Sequence, residues 1–119
     1  MIQISYIVGM STTSDGRNAE SHVAEELKSR GHTIVTLNWR TRRCEIDIVS
    51  TYNKAVYFTE VKYRGSSHWG TGLDYITPAK LRQMHFAAEL WLAENNWTGE
   101  SALMAAEVDR AGDIELVEI

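Results

Sequence analysis

Glu45-Ile-Asp47 and Glu60-Val-Lys62 are the stretches of this sequence best equipped for chemistry. They lie in CEIDIVS (44–50) and AVYFTEVKY (55–63), runs that alternate apolar and polar residues as strands do. Residues two apart on a strand share a face, so Glu45 projects with Asp47, and Glu60 with Lys62. Whether the pairs meet depends on the turn at Tyr52-Asn53-Lys54. A two-residue Asn53-Lys54 turn sets Tyr52 opposite Ala55, Asp47 opposite Glu60 and Glu45 opposite Lys62. A three-residue turn sends the pairs to opposite faces.

In the first register two carboxylates stand across from each other, a destabilising placement. A divalent cation is the simplest compensation. Hard oxygen ligands on neighbouring strands suit Mg²⁺ or Mn²⁺, and Mg²⁺ takes one or two carboxylates along with waters and a substrate phosphate. Lys62 beside such a site could stabilise charge developing at phosphorus or orient a water. This constellation reads as phosphodiester hydrolysis. The competing reading is a solvated strand face with an ion pair between Glu45 and Lys62, because short motifs recur by chance.

The elements that must position these residues follow from the flanking sequence. Residues 2–8 (IQISYIV) read as a short strand and residues 15–30 as a helix, with Ala19, Val23, Ala24 and Leu27 at helical spacing and Gly31 as its stop. HTIVTLNW (32–39) is rich in β-branched residues and reads as a strand. After a glycine-rich loop over 65–76, Thr77 is an N-cap and Pro78 a first helical residue, for a helix reaching about Asn95. Leu81, Met84, Ala88, Trp91 and Leu92 form its apolar stripe. Residues 102–109 and 113–119 form a closing hairpin around Ala111-Gly112. The order predicts an α/β or α+β domain with helices covering a central sheet.

The 119 residues suffice for one domain with its own core. The single Cys44 excludes an intramolecular disulfide, fits a reducing compartment and reads as a small buried residue. No apolar run reaches membrane-spanning length, and MIQISYIVGM lacks the basic start and cleavage site of a signal peptide. A cytoplasmic location is the expectation. Met10 reads as an alternative start, which makes residues 1–9 an optional extension, and residues 1–13 read as a flexible N-terminal segment.

The formal net charge of −4 is unusual for a nucleic-acid binder, yet positive charge is concentrated locally. Arg40, Arg42 and Arg43 could hold a phosphate backbone or simply form an exposed basic turn. Arg64 and Lys80 carry the same two readings, with Lys80 in a helical first turn where a phosphate could dock. His68 and Trp69 could stack on nucleic acid or pack within their loop. His22, His32 and His85 lack metal-ligand spacing. Trp91 and Trp97 read as packing residues.

Taken together, the residues resemble a known pattern. Gly16 and Glu20 lie in the first helix, followed by Asn38-Trp39-Arg40 and Glu45-Ile-Asp47-Ile-Val. Phe58-Thr-Glu60-Val-Lys62-Tyr-Arg64, Gly70 and Thr77-Pro-Ala-Lys80 complete the match. This resembles the PD-(D/E)xK nuclease superfamily. More closely it resembles the YraN family of small bacterial proteins, which are similar to archaeal Holliday junction resolvases. The resemblance implies a restriction-endonuclease-like core, a central mixed sheet flanked by helices. It further implies a metal-dependent endonuclease using Mg²⁺ or Mn²⁺, with Asp47 and Glu60 as metal ligands, Lys62 as the catalytic lysine and Glu20 approaching the metal from the helix. DNA, branched or damaged, is the implied substrate, and a homodimer the implied assembly. A binding module without nuclease activity and a structure-selective RNase are the alternatives. Cys44 stands where the family usually has glycine, and Tyr63 where it usually has threonine.

Overall fold

A computed structural model of the protein describes residues 2–6, 15–64 and 75–119. The elements are β1 (Ile2–Tyr6), α1 (Asp15–Ser29), β2 (Thr33–Arg40), β3 (Glu45–Tyr52), β4 (Ala55–Tyr63), α2 (Pro78–Glu94), β5 (Glu100–Val108) and β6 (Asp113–Glu118). One mixed sheet runs in the order β1-β6-β5-β4-β3-β2. Among the described residues only β4 and β5 pair in parallel, and α2 lies between them in the chain, as a parallel connection requires. The architecture is α/β, compatible with a restriction-endonuclease-like core.

The two helices cover opposite faces. Ala19, Val23, Ala24 and Leu27 of α1 pack with Ile48 and Met104. Met84, Ala87, Ala88 and Trp91 of α2 pack with Val49 and Leu103. Ile48 and Val49 are adjacent, as are Leu103 and Met104, so their side chains leave the sheet on opposite sides.

Local chemistry sets the boundaries. Gly31 ends α1 with φ of 101°, and a Cβ there would sit 3.1 Å from the Tyr52 ring. The Thr77 hydroxyl accepts the Lys80 N–H at 3.1 Å to start α2, with Pro78 at its first position. Asn53 and Lys54 both take positive φ, 52° and 69°, the backbone of a two-residue type I′ hairpin. Tyr52 therefore pairs with Ala55, the first of the two registers considered above. Trp91 stacks edge-on against Phe58 at 5.5 Å, a packing role. Cys44 is half-buried rather than buried, because it closes the β2–β3 turn, with its sulfur 3.4 Å from the Thr41 hydroxyl.

Candidate active site

The hairpin register carries Asp47 toward Glu60, but the ladder stops one row short, at Ile48↔Thr59. On the other side, β2 pairs Leu37 with Ile48 and Trp39 with Ile46, and skips Asn38 and Asp47. Asn38 has φ of 54° inside a strand, a left-handed conformation that asparagine tolerates better than most residues. Ile46 joins the core under α2 whereas Ile48 joins the core under α1. Residues two apart normally share a face, so β3 changes facing at Asp47. The Asp47 carboxylate consequently reaches toward β4, where Oδ2 accepts the Val61 N–H at 2.8 Å. A side chain has taken the place of a ladder bond.

Asp47 titrates far from its ordinary range, pushed up to about 7. Burial is the main cause, followed by repulsion from Glu60. The Val61 N–H acts in the opposite sense, and Glu20 and Glu45 add smaller repulsions. Asp47, Glu60 and Glu20 thus share one electrostatic neighbourhood fed by β3, β4 and α1.

Glu60 is half-buried and already has a cation. Lys80 Nζ, from the first turn of α2, lies 2.8 Å from Glu60 Oε2. Lys62 is exposed, with no ion-pair partner among the described residues. The Glu45–Lys62 ion pair of the competing reading is not formed among the described residues. Glu45 stands directly opposite Arg40 in the β2–β3 register and pairs with it at 3.3 Å.

Among the described residues, no three His, Cys, Asp or Glu side chains converge tightly enough to hold a cation by themselves. A divalent ion that keeps several waters needs only one or two carboxylates. Asp47 and Glu60 supply that number; the raised Asp47 pKa marks a carboxylate with no cation of its own, while Lys80 compensates Glu60. Two carboxylates completed by waters are the kind of donor set that Mg²⁺ or Mn²⁺ takes.

Beside this locus a groove of about 620 Å³ gathers Arg40, Arg42, Arg43 and Lys80 with Glu45 and Glu60. Arg82 and Phe86 line it too. These two were missed in the sequence, although their spacing of four on a helix placed them on one face. Arg64 lies outside the groove, ion-paired with Glu107 of β5, both side chains largely covered. Tyr75 was also missed. Its hydroxyl reaches the carbonyls of Glu60 at 3.4 Å and Ala106 at 3.1 Å, tying the start of the α2 segment to the Glu60 backbone. No short motif announces such a tyrosine. His68, Trp69 and Gly70 lie outside the described residues.

These features define an α/β domain with a restriction-endonuclease-like arrangement and one charge-frustrated carboxyl group, Asp47, beside Glu60 at a break in its sheet. The comparison with known families agrees with the resemblance read from the motifs. The model of the uncharacterised protein family UPF0102, the YraN family, matches residues 19–117, and the chain belongs to that family. It is similar to the UPF0102 protein of Pseudomonas fluorescens (strain Pf0-1), 36% identical over 83 residues that cover 69% of each chain. It is 35% identical over 88 residues to the UPF0102 protein of Ectopseudomonas mendocina, covering 73% of this chain and 74% of the relative. With that of Clavibacter michiganensis it shares 40% identity over 76 residues, 64% of each chain. No helix among the described residues is long and apolar enough to cross a membrane.

Proposed function

We propose that this protein is a metal-dependent endonuclease that hydrolyses nucleic-acid phosphodiesters, DNA in preference to RNA. The observation that carries the reading is Asp47. It is a carboxyl group driven up to about 7 by burial and by Glu60, at a place where the sheet opens. Charge frustration of this kind clusters at functional sites, because a fold without a use for it would replace the acid. A bound Mg²⁺ or Mn²⁺ would supply Lewis-acid activation of water and neutralisation of phosphoryl charge.

The chain's own residues divide the remaining tasks. The Val61 N–H orients the Asp47 carboxylate, leaving its second oxygen available as a ligand. Glu60 supplies the other carboxylate, and Glu20 adds negative potential from α1. Lys62, two residues past Glu60 and unpaired among the described residues, offers its ammonium to a phosphoryl oxygen. Arg40, Arg42, Arg43 and Lys80 bring positive charge to the groove that ends at Glu60, where they hold backbone phosphates without reading sequence.

Mn²⁺-dependent cleavage of plasmid, single strand, four-way junction and tRNA tests the reading, with wild type beside Glu60→Gln. Cleavage by wild type, reduced at least about a hundredfold in the variant, is the expected result. Light scattering of the same preparations tests the homodimer expected of resolvase-like relatives.

A second reading has one specific observation behind it. Lys80 satisfies Glu60 internally, as it would in a groove that only binds nucleic acid. Binding that survives EDTA, with no cut product in any metal, would select that reading.

A further inference from the structure

Phe86 is a large apolar side chain left 45% exposed on α2, and it does not face the α2-side core. Instead it opens onto the groove that holds the arginines and Glu60. The guanidinium of Arg43 lies over its ring, 5.9 Å from the centroid. That guanidinium comes from a fixed turn. The Thr41 hydroxyl accepts the N–H groups of Arg43 at 3.0 Å and Cys44 at 3.2 Å, and the Thr41 N–H donates to the Cys44 carbonyl at 2.9 Å. The groove thus pairs a set of phosphate-seeking cations with one aromatic face.

The geometry points to Phe86 as a stacking platform for an unpaired base, which makes nucleic acid with single-stranded or unstacked positions the substrate class of this site. Cations alone would serve any polyanion, duplex included, because every duplex displays phosphates. An aromatic ring adds nothing to an intact duplex, whose base faces are already stacked. It adds substantially to a strand whose base faces are free. In the free protein the Arg43 guanidinium lies over part of the ring. A phosphate arriving in the groove draws the guanidinium to itself, and the uncovered ring accepts the neighbouring base. The charge around Phe86 favours this occupant over an apolar protein surface: Arg43, Lys80 and Arg82 share its groove, and burying them against an apolar partner would strip their hydration. The inference rests on the nucleic-acid reading of the groove, but not on cleavage.

The test is binding in EDTA, so that no substrate is cut. Anisotropy would follow a short labelled single strand and the corresponding duplex, and a single strand carrying 2-aminopurine would report stacking by its quenching. Phe86→Leu keeps an apolar side chain at an exposed position and removes the aromatic face; Phe86→Trp keeps the face. We expect Phe86→Leu to weaken single-strand binding about tenfold and abolish the quenching, while duplex affinity stays within about twofold. Phe86→Trp should retain both signals. Equal single-strand affinity and equal quenching in wild type and Phe86→Leu would overturn the proposal and leave the nucleic-acid reading standing. Wild type that binds no oligonucleotide would overturn both. A change of mass in sedimentation on Phe86→Leu, with strand binding unaltered, would make the ring a contact between copies of the chain and overturn the proposal.

Discussion

The β3–β4 hairpin has two ends that handle polar groups in opposite ways. At the turn end the ladder is continuous from Ile48↔Thr59 to Tyr52↔Ala55, and the buried Ser50 hydroxyl has a partner. Ser50, fully buried, lies 2.9 Å from His32 Nδ1, and the His32 ring stacks on Tyr52 at 5.0 Å and meets Tyr57 edge-on at 4.9 Å. At the other end the ladder lapses, a carboxylate substitutes for a backbone acceptor, and acids accumulate. The same two strands therefore hold a well-satisfied half and a frustrated half. The satisfied half fixes the register, and the register brings the frustrated acids to each other.

That dependence can be broken from a distance. Inserting one glycine between Asn53 and Lys54 would destroy the type I′ turn and slip β4 by a residue. Because side chains alternate along a strand, the slip moves Glu60 to the face away from Asp47 and turns Phe58 out of the α2-side core. It should produce the largest effect, a loss of more than about 3 kcal/mol in urea unfolding together with loss of any metal response. His32→Ala strikes the same half more gently. It leaves the buried Ser50 hydroxyl without its partner and removes two ring contacts, with an expected loss of about 2–3 kcal/mol. Unchanged unfolding midpoints in either variant would show that the turn end does not anchor the hairpin.

The contrast also explains which parts of the molecule were legible in the sequence. The legible features obey local rules. Helical spacing of Ala19, Val23, Ala24 and Leu27, the Asn53-Lys54 turn, and Thr77-Pro78 at a helix start each act through neighbouring residues, and each appears in the structure. The frustrated half does not obey them. Regular alternation paired Glu45 with Lys62, whereas the ladder ends before that row and Arg40, opposite Glu45 on β2, takes the acid. Periodicity cannot foresee the left-handed Asn38 or the change of facing at Asp47, which cut into two otherwise ordinary strands. Nor can it place Lys80 on Glu60, since that contact needs the chain to pass through the β4–α2 connection and fold α2 back over the sheet. The Arg64–Glu107 pair was out of reach for the same reason: Glu107 comes from β5, the parallel neighbour reached only after that crossover.

The two halves should also respond to pH with opposite signs. Burial, then Arg30, holds His32 below its ordinary 6.5, so the folded chain binds its proton less readily than the unfolded chain. Its contribution is present above the unfolded value and fades as pH falls below it. Asp47 is raised from 3.8 to about 7, so the folded chain holds that proton more tightly. Its contribution is present below about 4 and is lost as pH rises through about 7. Asp47→Asn cannot ionise and can still accept the Val61 N–H. Against wild type without metal, it should gain stability as pH climbs through this window and hold an advantage of about 2 kcal/mol above it. Thermal unfolding across the window measures this. An Asn variant no more stable than wild type at the alkaline end would mean that Asp47 is not frustrated. Saturating Mn²⁺ should stabilise wild type alone and shrink the difference.

The smallest expected effect probes how the frustrated end is held together without a divalent ion. Lys80 and Glu60 are partly covered, with side-chain exposures of 34% and 19%, so their pair is worth more than a fully solvated one but less than a buried one. Lys80→Met should lower stability by only about 0.5–1 kcal/mol in EDTA. Its diagnostic value lies in the cation dependence. If the ammonium supplies charge that a metal can also supply, Mn²⁺ should restore the variant fully, and its thermal shift should exceed that of wild type, where Lys80 competes for Glu60. An equal Mn²⁺ shift in the two proteins would separate Lys80 from the metal locus and return it to the groove as a phosphate contact alone. The comparison thereby distinguishes a lysine that stands in for a cation from one that only waits for a substrate.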